Sequence, residues 1–118
     1  MKGFDLTEAV NILLKFREER NWEQFHTPKN LSMSIAIEAA ELMEHFQWKS
    51  TSEAAKYLKG TDIEKVKEEI ADVAAYLLML SHDLGIDLCA TMLEKIKKNE
   101  KKYPVEKSRG KNSKYDEL

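Results

Sequence analysis

The chain of 118 residues has little of what builds disulfide-bonded or loop-rich proteins: one cysteine, two prolines and four glycines. Cys89 therefore forms no intrachain disulfide, and its apolar neighbours predict a small buried thiol in a reducing, cytosolic setting. No apolar run reaches the roughly 18 residues of a membrane span. The opening MKGFDLTEAV lacks the long apolar core of a secretory leader. The final YDEL resembles a retrieval tail of the endoplasmic reticulum, which has no meaning without a route into that compartment. Net charge is also scarce: a formal −2 excludes a general attraction to nucleic acid or to an anionic membrane. Neither period-two alternation nor an internal repeat is present, so the class expected is all-α.

Hydrophobic residues make up 42% and charged ones 34%, a balance that fits one folded helical domain rather than a disordered chain. Four longer helices are expected. The first runs from about Thr7 to Arg20, with Asp5 as its cap and Leu6, Val10, Leu13, Leu14 and Phe16 as apolar positions. Thr27-Pro28 then breaks the pattern. The second helix spans about Leu31 to Trp48, and KSTSEAAKYLKG adds a short one closed by Gly60. Thr61 and Glu64 have capping-box spacing for the third, which carries Ile63, Val66, Ile70, Val73, Leu77, Leu80 and Leu84 as a near-heptad stripe ended by Gly85. Asp87 caps the fourth, which ends at Tyr103-Pro104. The expected organisation is a domain over 1–104 and a polar, basic tail over 105–118.

Within this pattern IADVAAYLLML, residues 70–80, is apolar nearly all round, which predicts a buried Asp72. In IAIEAAELM the only charges are Glu38 and Glu41, again among Ala, Ile, Leu and Met. Glu69 follows the polar EKVKEE and taken alone reads as a solvated residue. Glu38 and Glu41 are three apart, as are Glu69 and Asp72, so each pair shares a helical face. Buried carboxylates are costly unless something neutralises them. Two helices packed through their apolar faces would bring all four acids together as an all-oxygen site suited to Mg2+, with Mn2+ as a substitute.

At these residues the chain resembles the MazG-like all-α nucleoside triphosphate pyrophosphohydrolases, whose signature is a Glu-x-x-Glu pair followed by a Glu-x-x-Asp pair. Here those are EAAE at Glu38 to Glu41 and EIAD at Glu69 to Asp72. RNWEQFHTPKNL, EHFQWKS, DVAAYL, NEKKYP and SKYDEL are similar to the dCTP pyrophosphatase branch. Many members have a further acid directly before the first Glu, where this chain has Ile37.

The resemblance implies a four-helix MazG-like bundle assembled as a homo-oligomer, a tetramer built as a dimer of dimers. It implies Mg2+ held by Glu38, Glu41, Glu69 and Asp72, with cleavage of dCTP or a modified dCTP to a monophosphate and pyrophosphate. One carboxylate would orient the attacking water; the sequence does not say which, and Glu41 is a guess among the four. The nucleoside pocket would use Trp22, His26, Trp48 and Tyr76, and flat rings are what a base stacks on. By themselves these rings equally suit core packing, and His26 a turn. Asn99, Arg109, Lys111 and Lys114 would reach the triphosphate, although a solvated basic tail explains them too. Hydrolysis of dUTP or of a broad set of damaged nucleotides is the alternative within the enzyme class. A non-enzymatic metal-binding bundle is the rival outside it. That design wants Glu-x-x-His on two helices, and the chain offers this only at Glu23 to His26, in a segment ending at proline.

Overall fold

Most of the longer helices start at a side-chain cap in the computed structural model, which describes residues 5–118. Helix α1 (Leu6–Glu19) starts at Asp5, whose carboxylate accepts from the Glu8 N–H at 2.8 Å. Past its C-cap, Asn21 takes a left-handed φ of 53°. The Trp22 N–H then bonds to the Arg17 carbonyl and the Asn21 N–H to that of Glu18, the double closure of a Schellman end. The apolar contact that accompanies such an end is here Trp22 against Phe16, with ring centroids 5.6 Å apart.

After a 3-10 turn (Glu23–Phe25), α2 spans Pro28–Glu44 and so begins three residues earlier than the pattern suggests. Thr27 is extended and caps it by accepting from the Asn30 N–H, while Pro28 sits at the first helical position, where a missing N–H costs nothing. It also ends earlier, since residues 45–48 are turns.

Helix α3 (Thr51–Lys59) carries a capping box, formed by Ser50 and Glu53. The box expected at Thr61 and Glu64 does not form: Asp62 occupies the N-cap of α4 (Ile63–Asp83) without a side-chain bond, and Glu64 pairs with Lys67 at 2.9 Å. Gly85, at φ 66°, closes α4 in a conformation that glycine adopts without cost.

The chain divides into two compact units, the first ending at Gly85 and the second spanning Ile86–Leu118. In the first, α2 and α4 form the main packing pair, and α1 and α3 also lie on α4. Leu31, Val66 and Met79 are its buried apolar residues. The near-heptad stripe of α4 splits: Val66 is buried, but Ile70, Leu77 and Leu84 are 52%, 39% and 52% exposed. The second unit holds α5 (Leu88–Lys102), capped by Asp87 through the Ala90 N–H, then α6 (Val105–Ser108) and a 3-10 turn (Tyr115–Glu117). None of its helical residues is fully buried, and Cys89 is exposed rather than enclosed, because so short a unit cannot surround a side chain. Among the described residues there is no strand, and no single helix is long and apolar enough to cross a membrane.

Candidate functional site

The two acidic pairs lie on α2 and α4, but helical phase sorts them differently from the sequence expectation. On α2 the half-buried or buried positions include Leu31, Ile35, Glu38 and Leu42; on α4 they include Val66, Glu69, Val73 and Tyr76. Each set advances by three or four residues, so Glu38 and Glu69 sit on the inward faces. Glu69 is therefore half-buried, not solvated, whereas Asp72 and Glu41 are exposed. The burial expected of Asp72 fails although it shares a face of α4 with half-buried Tyr76 and buried Met79, because that face borders an open cavity rather than a packed helix.

Oxygens of Glu38, Glu41 and Glu69 all lie within 4.8 Å of one another. Burial pushes the Glu38 carboxyl up to about 7, assisted by a hydrogen bond with Glu41 and by the charges of Glu41, Asp72 and Glu69. Glu69 shifts the same way, first through burial and then through Glu41. One oxygen of each, Glu38 Oε2 and Glu69 Oε2, is buried with no hydrogen-bond partner. Orphaned carboxylate oxygens facing a cluster of like charge fit a hard divalent cation, which accepts all-oxygen ligand sets.

Next to the acids, Asp72 and Tyr76 share the wall of a cavity of about 270 Å³ with Trp22, His26, Phe16 and Arg17. Edge-to-face contacts link its rings in a row: Phe16 to Trp22, Trp22 to His26 at 6.3 Å, and His26 to Tyr76 at 6.2 Å. The Schellman end of α1 delivers Trp22, and an Asn30 side-chain bond to the Phe25 carbonyl fixes the turn carrying His26. Burial, then the Arg17 charge, holds the His26 pKa below its usual value, so the ring is neutral at physiological pH with Nδ1 buried and unpartnered. The Tyr76 hydroxyl is pushed up by burial and by Glu38, Asp72 and Glu41.

The sequence pattern offered no sign of the pair at one wall of this cavity. Arg17 is buried and forks onto Asp83, with two bonds of 2.8 and 2.9 Å across 66 positions of chain. Arg17 is pushed up by this bond and Asp83 pulled down by it. Trp48 lies outside the cavity lining, 86% exposed on the turn after α2. Asn99, Arg109, Lys111 and Lys114 belong to the second unit: Asn99 near the end of α5, its carbonyl accepting from the Tyr103 N–H, and the others beyond α6.

Residues 33–118 match the sequence profile of the MazG-like family. The chain is 39% identical over 114 residues to dCTP pyrophosphatase 1 of Rattus norvegicus, and the match covers 96% of this chain and 67% of that protein. To dCTP pyrophosphatase 1 of Homo sapiens it is 37% identical over the same length and the same shares. Among solved structures it is similar to a pyrophosphatase from Archaeoglobus fulgidus, with a TM-score of 0.80 and 44% identity, covering 88% of this chain and 96% of that one.

Proposed function

Since the chain belongs to the MazG-like family, we propose that it hydrolyses a nucleoside triphosphate between the α and β phosphates, with dCTP or a modified dCTP as substrate. The observation that carries the reading is the meeting of the Glu38, Glu41 and Glu69 carboxylates at the α2–α4 contact, with Asp72 shared between those acids and the aromatic cavity. Glu38, Glu41, Glu69 and Asp72 would hold Mg2+ or, with the same oxygen preference, Mn2+. A cation bound there supplies Lewis-acid polarisation of the phosphoryl oxygens and offsets the charge of the pyrophosphate leaving group.

The chain's own residues have separable tasks. Glu41, exposed and next to the two inward acids, would orient the attacking water. Trp22 and Tyr76 offer ring faces to the base, and neutral His26 offers a ring nitrogen to its polar edge. Asn99, Arg109, Lys111 and Lys114 serve the triphosphate, with 1–104 as the catalytic domain and 105–118 as its tail.

Exposed Ile37, Ile70, Leu77 and Leu84 are the kind of surface that a second copy covers, which supports a homo-oligomer, a tetramer in our reading, with Trp48 serving across the subunit boundary. The compartment is the cytoplasm, where the free nucleotide pool lies.

Incubation with a panel of nucleotides and Mg2+ tests the function. Pyrophosphate and dCMP from dCTP are the expected products, and release of orthophosphate instead would overturn the bond choice. Faster turnover of dUTP or damaged nucleotides would move the substrate to the broader alternative.

A further inference from the structure

On another side of the acidic trio, outside the aromatic cavity, a cleft of about 430 Å³ is bordered by Glu41, Glu44, His45, Lys49, Tyr57 and Glu69. His45 caps the C-terminal end of α2 and Tyr57 belongs to α3. The Tyr57 hydroxyl lies 2.7 Å from His45 Nδ1, and His45 Nε2 lies 3.8 Å from Glu69 Oε1. A carboxylate facing Nε2 favours the tautomer with its proton there, so Nδ1 accepts from the Tyr57 hydroxyl. Tyr57 is itself held in place: Phe46 meets its ring edge-to-face at 6.2 Å, and Lys49 Nζ, which also donates to the His45 carbonyl, stands 4.2 Å from the ring centre.

We propose that His45 and Tyr57 are positioning residues that set the cation affinity of the acidic trio by orienting Glu69, an inference that rests on the divalent-metal reading of that trio. Glu69 divides its oxygens between two surroundings: Oε1 faces the imidazole, while Oε2 is buried without a partner, as is Glu38 Oε2. Guiding the first oxygen presents the second to the cation and reduces the rotamer freedom lost on binding. At 3.8 Å the imidazole acts as an electrostatic guide rather than a hydrogen-bonded partner, so it does not compete for the lone pairs that the metal needs. Two helices thereby act on one ligand, α3 reaching a carboxylate of α4 through the end of α2.

The test is Mn2+ binding to the full chain without nucleotide, read from the electron paramagnetic resonance signal of the free ion, so no turnover is involved. His45→Leu and Tyr57→Phe should each weaken binding by about tenfold or more. His45→Gln, which keeps an amide donor near the Nε2 position, should recover part of the loss. The double variant His45→Leu/Tyr57→Phe should be no worse than His45→Leu, because the two residues act in series. Circular dichroism in EDTA checks folding, and Tyr57→Phe, which deletes a single oxygen, carries the test if His45→Leu does not fold. Wild-type binding with unchanged affinity in a folded variant would overturn the brace alone. Absence of Mn2+ binding by the wild type would overturn the brace together with the metal reading of the trio.

Discussion

Breaking the Arg17–Asp83 pair from either side should give unequal losses, because the two partners are buried to different degrees. The Arg17 side chain is 5% exposed and that of Asp83 24%. In Asp83→Ala the guanidinium stays buried, stays charged and loses both of its bonds, for which about 3 kcal/mol is the expected cost. Removing an acid from the last turn of α4 returns roughly 0.5 kcal/mol through the helix dipole. In Arg17→Met the apolar stem is kept and the remaining carboxylate can turn to water, so about 1 kcal/mol is expected. With a urea slope of about 1.5 kcal/mol/M, the net losses of about 2.5 and about 1 kcal/mol move the unfolding midpoint by about 1.7 M and by about 0.7 M.

The measurement is urea unfolding at one fixed protein concentration, since any self-association would otherwise enter the midpoint. Asp83 has a folded pKa held below its unfolded value, so its contribution is present above about pH 4 and is lost as pH falls through the folded pKa. The gap between wild type and Asp83→Ala should therefore close in acid. An Arg17→Met loss equal to or larger than that of Asp83→Ala would refute the argument from unequal burial.

The acidic trio and neighbouring Asp72 support a second pair of substitutions. Glu38→Gln and Asp72→Asn should both abolish Mg2+-dependent pyrophosphate release, but only Glu38→Gln should raise the stability of the EDTA-treated protein near pH 8, by about 1 kcal/mol, because Glu38 is half-buried and Asp72 exposed. Thermal melts decide this, and a destabilised Glu38→Gln would count against mutual repulsion at the site. The Glu38 carboxyl, near 7 in the fold against a reference of 4.5, binds its proton more tightly folded than unfolded. Its contribution to metal-free stability is thus present below about pH 4.5 and is lost as pH rises through about 7, a slope that Glu38→Gln should flatten. Trp22→Ala should weaken nucleotide binding by about tenfold or more in calorimetry, with a smaller effect for Tyr76→Phe, which keeps the ring; equal binding would return both rings to plain packing. Sedimentation at micromolar concentration should show no major monomer, and a folded, active monomer would refute the assembly.

Sequence alone determined the all-α class, most helix ends and the identity of the acids, because these depend on short-range causes. Capping bonds, left-handed turns and three-residue spacing are settled within a few positions of the chain, as Asp5, Asp87, Gly85 and the two Glu-led pairs illustrate. Composition around a residue, however, does not say which way its helix turns. Asp72 is set among apolar neighbours and is exposed, while Glu69 follows a charged run and faces inward, since only the packing of α2 on α4 chooses the buried face. The same holds for Arg17 with Asp83 and for Tyr57 with His45 and Glu69. Such pairs join residues from different helices, carry no periodic signature, and come into being only when tertiary packing closes the distance between them.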